Sequence, residues 1–532
     1  MLFNSASFLF YFLPAALIGY AVMARLGRRA VVGWLAFMSV VFYGVWKPRY
    51  VLVLLGSMLV NYAVSRMIAK TRKPDAPGTD RAATWWMVGG ITANLVALAY
   101  FKYLFHFLVF MNQMQVTTTN WRQIVLPLGI SFFTFTQIAY LVDLRQGEAD
   151  PQDFVSYALF VTFFPHLIAG PILHHKEMMP QFAEREKRLN WDDVAMGLSW
   201  FILGLAKKVI IADRIAPFAD SAFAHPHQLG VWGAWIGVLN YSMQLYFDFS
   251  GYSDMAVGLA RMFSIRFPYN FNSPYKSANI IDFWARWHMT LTRYITLYLY
   301  NPVALAVSRR RLRMGKPVSK KASRTLAGFA GMVALPTFFT LFLAGVWHGA
   351  GSQFIIFGLL HGCYLTANHA WRLWRPKPAQ EPRKWYSTPL GMALTYLAVL
   401  VAQVFFRADS TGDALSLLAG MSGLHGMQMP AQFASHLHIA ASESARAAAE
   451  FSAKSLAVFL LFPICWLLPN VQEIMGDTHP GDEISRGAPL GERIAHAIQW
   501  RPNWAWCAAL ACTLLVVLAY ISYSTSFLYF QF

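Results

Sequence analysis

Apolar residues in this chain run in long blocks separated by short polar stretches. Blocks 8–23, 31–46, 50–64, 85–101, 231–247, 326–346, 352–371, 390–406, 456–468 and 504–520 carry few or no charges. Allowing for tilt and aromatic ends, most approach the ~17–25 residues that cross a hydrocarbon core as a helix. The pattern predicts an all-α polytopic membrane protein, 1–532 forming one membrane domain, with roughly ten clear spans and a few shorter or broken ones.

Three zones follow one another along this domain. Plain hydrophobic helices occupy 1–105, a more polar core spans 126–374, and plain helices return over 385–532, where 408–452 is expected to form an external loop and 472–503 a second polar loop. In the core, 126–141 opens on Leu126-Pro-Leu-Gly129 and 154–167 runs into Pro165, His166 and Gly170-Pro171. Such short, interrupted stretches are read as re-entrant or half-membrane helices around an internal cavity, with short surface-lying helices as the alternative.

Composition agrees: 56% of residues are hydrophobic and 13% charged, too few charges to clothe a soluble fold of 532 residues. The net charge of +18 would suit nucleic acid in a soluble protein. Here positive charge collects between spans, as cytoplasmic loops require, so membrane lipids and not nucleic acid are the expected partner. The basic clusters are Arg25, Arg28 and Arg29; Arg66 to Arg81; Arg309 to Arg324; and Arg372 to Lys384. The first follows the opening apolar block, which argues for an outside N-terminus and against a cleaved signal peptide. Cys363, Cys465, Cys507 and Cys512 lack metal spacing, and no metal site is expected.

Ionisable residues in apolar surroundings tend to face a bundle interior. Asp248, Ser250, Tyr252 and Asp254 follow directly on an apolar block, and a break at Gly251 would let both carboxylates approach one cavity, a solvated helix end being the alternative. Asp282 and Arg286 have the i,i+4 spacing of a pair, beside Trp284, Trp287 and His288. Trp347 and His348 sit among Gly345, Gly349 and Gly351, which permit close approach of backbone or ligand. His361 lies thirteen residues beyond His348, off register on a straight helix, and reads as structural. Histidine can take a hydroxyl proton near neutral pH and return it, as acyl transfer needs, yet these residues alone fit an enzyme and a transporter equally.

An ordered series of motifs resembles the membrane-bound O-acyltransferases, in the branch of alginate O-acetyltransferase. It comprises Met1-Leu-Phe-Asn-Ser5, Phe8 to Pro14, Leu126 to Phe132, Phe164 to Pro171, Gln244 to Met255, Arg286-Trp-His288, Trp347-His-Gly349, Val404 to Asp409 and Phe527 to Phe532. The resemblance implies a ring of helices with a central tunnel, in a bacterial inner membrane. It implies His348 as the residue essential for transfer and His288 across the same tunnel, with Asp248, Ser250, Tyr252, Asp254, Arg286, Trp287 and Trp347 as tunnel or substrate-binding residues. It also implies acetyl-CoA as donor substrate with no bound cofactor, an exported polysaccharide as acceptor, and as partners a periplasmic acetyltransferase and polysaccharide-secretion machinery. A transporter of a lipid-linked or acylated intermediate and a secretion scaffold are the rival readings. One departure stands out: Thr296 and Leu297 replace a charged pair usual in alginate-type members, so alginate, cellulose or another secreted glycan stays open as acceptor.

Overall fold

A computed structural model of the chain describes all residues except 74–79, 117–124, 184–188, 376–386, 427–441, 477–488, 524, 526 and 529–532. Lys377, Arg383 and Lys384, much of 408–452, the middle of the second polar loop and the end of the C-terminal motif lie outside the described residues. The described residues form helices, with no strand among them. Six of these helices are long and apolar enough to cross a membrane: Phe8–Leu26, Arg49–Thr71, Arg81–Lys102, Trp191–Ala224, Leu326–His348 and Thr388–Arg407. The other apolar blocks are helical too, as Arg28–Gly44, Val231–Met262, Ser352–Trp374, Ser442–Leu467 and Trp504–Tyr520. The start of 408–452 is itself helical, Thr411–Met421, with Ser410 accepting from the Asp413 amide as its cap.

The outer surface is apolar where a soluble protein would be charged. Tyr11, Ile18, Leu52, Leu59, Val96, Leu390, Leu394, Leu456 and Leu515 are all exposed large hydrophobic residues, as lipid-facing positions should be.

The chain divides into two compact units, 1–206 with 251–269 and 502–531, and 207–250 with 270–501 and 532. Within the first, polar side chains join helices that have no hydrophobic reason to associate in lipid. Asn61 and Asn94 exchange hydrogen bonds of 3.1 and 2.6 Å between Arg49–Thr71 and Arg81–Lys102. Tyr157 donates to Gln137 at 2.9 Å, and Gln137 donates to Ser57 at 2.9 Å. The helix Phe154–Thr162 has nine residues, about half a bilayer crossing, and its residues from Tyr157 onward are buried. It therefore ends inside protein and not on a surface, the arrangement non-helical backbone requires at depth. Gly129 caps Ile130–Gln146 at φ +70°, and a Cβ there would lie 2.5 Å from the Leu167 carbonyl oxygen. The Leu-Pro-Leu-Gly and Phe-Pro-His motifs are thus packed backbone to backbone.

Gly251 does not break its helix. Val231–Met262 runs through it without interruption, so Asp248 and Asp254 point roughly 120° apart and do not meet in one cavity. The glycine serves close packing instead: a Cβ on Gly204 would lie 2.6 Å from the Gly251 carbonyl oxygen, and Gly197 and Gly258 meet in the same way.

The span over Trp191–Ala224 is absent from the sequence-based set because Lys207, Lys208 and Asp213 interrupt its apolar run. In the second unit the buried Lys208 ammonium is 2.8 Å from Asp213 and also pairs with Asp248, so its charge is met inside the protein. Lys208→Met should leave buried carboxylates without a counter-charge and cost about 3–5 kcal/mol, whereas adding Asp213→Asn and Asp248→Asn should return much of that. Thermal unfolding followed by size exclusion in detergent checks this; an unchanged transition in the single variant would mean the charges are solvated.

Candidate active site

Two helices of the second unit, Leu326–His348 and Ser352–Trp374, form a hairpin closed by Gly349 to Gly351. Their backbones touch. A Cβ on Gly345 would lie 2.4 Å from the Phe354 carbonyl oxygen, and one on Gly358 would lie 2.3 Å from the Leu341 carbonyl oxygen and 3.1 Å from the Gly345 Cα. No side chain fits at either position.

Beside this contact lies a partly open cavity of about 270 Å³. One helix lines it with Thr337, Thr340, Leu341, Ala344 and His348, the other with Phe357, Gly358, His361, Leu365 and His369, each set at three- and four-residue spacing along one face. The remaining wall comes from Trp284, Leu291, Thr292, Ile295, Thr296 and Tyr300. His348 and His361 therefore share one site. The straight-helix register that separates them does not apply, because the chain turns back between them. Phe357 stands edge-on to both rings, with centroids 5.7 Å from His348 and 4.8 Å from His361, and Phe406 packs 5.0 Å from His348.

Hydrogen bonds assign protons to two of the histidines. Trp284 Nε1–H donates to His361 Nδ1 at 3.2 Å, so a neutral His361 carries its proton on Nε2. His288 sits at φ +44°, in the left-handed region that a residue with a Cβ rarely adopts, and caps Met289–Ile295. Its Nδ1 lies 2.9 Å from Asn270 Oδ1, which also accepts from Thr290 Oγ1 at 2.9 Å, so the His288 proton is on Nδ1. The two imidazoles hold opposite tautomers.

His288 is buried but is not among the lining residues; the helix it starts supplies Leu291, Thr292 and Ile295 to the wall. Arg286 makes the expected pair with Asp282 at 2.9 Å, and Trp287 is buried against Phe271 and Phe283. Asp248 is held by Lys208, Tyr252 stacks on Phe3 at 4.8 Å, and Ser250 and Asp254 are buried. Trp347 packs its ring 4.6 Å from that of His348. None of Asp248, Ser250, Tyr252, Asp254, Arg286, Trp287 and Trp347 lines the cavity. His361, His369, Tyr300 and the two threonines 337 and 340 do; the i,i+4,i+8 series 361, 365, 369 is a sequence signal for the two histidines, and Tyr300, Thr337 and Thr340 have none. Thr296, where the sequence departs from alginate-type members, also lies on the wall.

The fold and site define a helical membrane protein that holds buried imidazoles, groups able to exchange a proton, at the edge of a mostly apolar cavity. The sequence matches the profile described as MBOAT, membrane-bound O-acyltransferase family, over residues 90–315. It is 39% identical over 460 residues to a peptidoglycan O-acetyltransferase of Helicobacter pylori, covering 81% of each chain. It is 35% identical over 427 residues to a Pseudomonas aeruginosa protein described as "probable alginate O-acetylase AlgI", covering 79% of this chain and 75% of that one. A teichoic acid D-alanyltransferase of Bacillus subtilis is 29% identical over 273 residues, covering 51% of this chain and 65% of its own. The chain belongs to the membrane-bound O-acyltransferase family and is an acyltransferase.

The hairpin contact is testable without touching a histidine. Gly358→Ala should force the helices apart at about 1–3 kcal/mol and lower acyl transfer with it. Gly56→Ala, whose new Cβ meets nothing within 4 Å, should leave both unchanged. Thermal unfolding together with turnover of the two variants decides it; equal behaviour would mean the close approach does not matter.

Proposed function

We propose that this enzyme takes acetyl from acetyl-CoA on the cytoplasmic side of a bacterial inner membrane and passes it to a hydroxyl on the periplasmic side, for O-acetylation of an exported or cell-wall glycan. The observation that carries this reading is the convergence of His348 and His361 on one apolar cavity. The relatives named for peptidoglycan and alginate O-acetylation supply the acetyl group and the class of acceptor.

In this reading His348 is the base. It removes the proton of the acceptor hydroxyl, the oxygen attacks the thioester carbon, the C–S bond breaks, and the departing thiolate takes the proton back from His348. His361 carries its proton on Nε2 because Trp284 occupies Nδ1, so it can donate to the carbonyl oxygen as negative charge develops there. His288 acts at one remove, by holding the turn that begins Met289–Ile295. The acceptor hydroxyl belongs either to the glycan or to a periplasmic acetyltransferase that works with secretion machinery and relays the group.

His348→Ala should lower transfer of radiolabelled acetyl from acetyl-CoA by about 10²–10⁴-fold, the usual worth of a general base, with normal protein levels in the membrane. Purified protein in detergent with a soluble acceptor or water provides the assay. Binding of acetyl-CoA with no transfer or hydrolysis by the wild type would favour a transporter and end the proposal.

A further inference from the structure

In the first unit, one carboxylate and two imidazoles converge at a place the acyl-transfer reading does not use. Asp143 lies in the last turn of Ile130–Gln146, and His174 and His175 follow the Gly170-Pro171 break. Their ligand atoms all lie within 4.8 Å of one another. His174 Nε2 and His175 Nδ1 are each 3.0 Å from the same oxygen, Asp143 Oδ2. Asp143 and His175 are more than nine-tenths buried.

The His175 ring has a proton conflict. Its Nε2 lies 2.9 Å from the Glu148 carbonyl oxygen, and a carbonyl only accepts, so the proton is on Nε2. A neutral ring then carries a bare lone pair on Nδ1, which lies 3.0 Å from a carboxylate oxygen and has no hydrogen bond. A bare ring nitrogen and a carboxylate oxygen 3.0 Å apart repel unless a positive charge beside them offsets the repulsion.

Two imidazoles and a carboxylate are the donor set of a Zn²⁺-like ion, whose bonds of about 2.0–2.2 Å at tetrahedral angles set ligand atoms about 3.3–3.6 Å apart, a spacing that small rotations of these side chains reach. A ligating histidine normally gives its other ring N–H to a carbonyl or carboxylate, as His175 gives its own to Glu148. We propose that Asp143, His174 and His175 bind a divalent transition-metal ion of the Zn²⁺ type. His175 ligates through Nδ1 as it stands. His174 ligates through Nε2, its proton moving to Nδ1 at the expense of a long 3.3 Å contact from the Lys176 amide. The ion clips the end of Ile130–Gln146 to the start of the helix His175–Ala183, across the irregular residues that follow Pro171.

The test uses the full chain in detergent, purified without a histidine tag, stripped with a chelator and titrated with Zn²⁺ or Co²⁺. Stoichiometric Zn²⁺ by elemental analysis is expected, with visible ligand-field bands for Co²⁺ and a higher melting temperature on metal addition. Asp143→Asn and His175→Ala should weaken metal binding by more than about tenfold. Folded wild-type protein that takes up no stoichiometric metal, leaving a proton alone between Asp143 and His175, overturns the proposal; so does undiminished binding in variants that fold. The wild-type Co²⁺ spectrum decides the matter even if both variants misfold, and none of these readouts depends on acyl transfer.

Discussion

Where Gly345 meets Gly358, two membrane helices come into backbone contact, and the rest of the chemistry follows from how close that contact is. In hydrocarbon there is no hydrophobic force to press helices together, so association depends on van der Waals packing between small residues and on hydrogen bonds. A Cβ at either glycine would fall within 2.4 Å of a carbonyl oxygen, so only glycine allows this hairpin. The hairpin in turn folds His361 back beside His348 and leaves a cavity bounded by Trp284 and the helix that follows His288. Gly197, Gly204, Gly251 and Gly258 repeat the device in the other unit.

The interior also meets a second demand. Polar groups away from water must find partners, and here those partners come from far along the chain. Lys208 finds Asp248, Asn61 finds Asn94, Gln137 finds Tyr157, and Trp284 finds His361. The last of these has a chemical consequence beyond stability, since it fixes which His361 nitrogen holds the proton. Trp284 thus sets the tautomer at the cavity wall.

The apolar blocks made the helices legible, because their length and lack of charge are local properties. The block over Trp191–Ala224 escaped because one carboxylate that pairs with Lys208 lies forty residues away, and pairing of that kind leaves no local trace. The break read at Gly251 misjudged a glycine whose purpose is close packing; sequence alone does not distinguish a glycine that ends a helix from one that admits a neighbour. The glycines around His348 were visible as an approach site, but the register argument that set His361 apart assumed a straight helix across Gly349 to Gly351. Asp143 and His174 are thirty-one residues apart, so their meeting could be seen only in the fold.

The account stands on the acyl group being handled at His348, inside the cavity that His361 and Trp284 help to bound. A cryo-electron microscopy map of the enzyme with a non-hydrolysable acetyl-CoA analogue addresses that directly. The acyl end should appear in the cavity within hydrogen-bonding range of the His348 and His361 rings. An acyl group resolved elsewhere in the protein, with the cavity filled by a lipid chain, would contradict it.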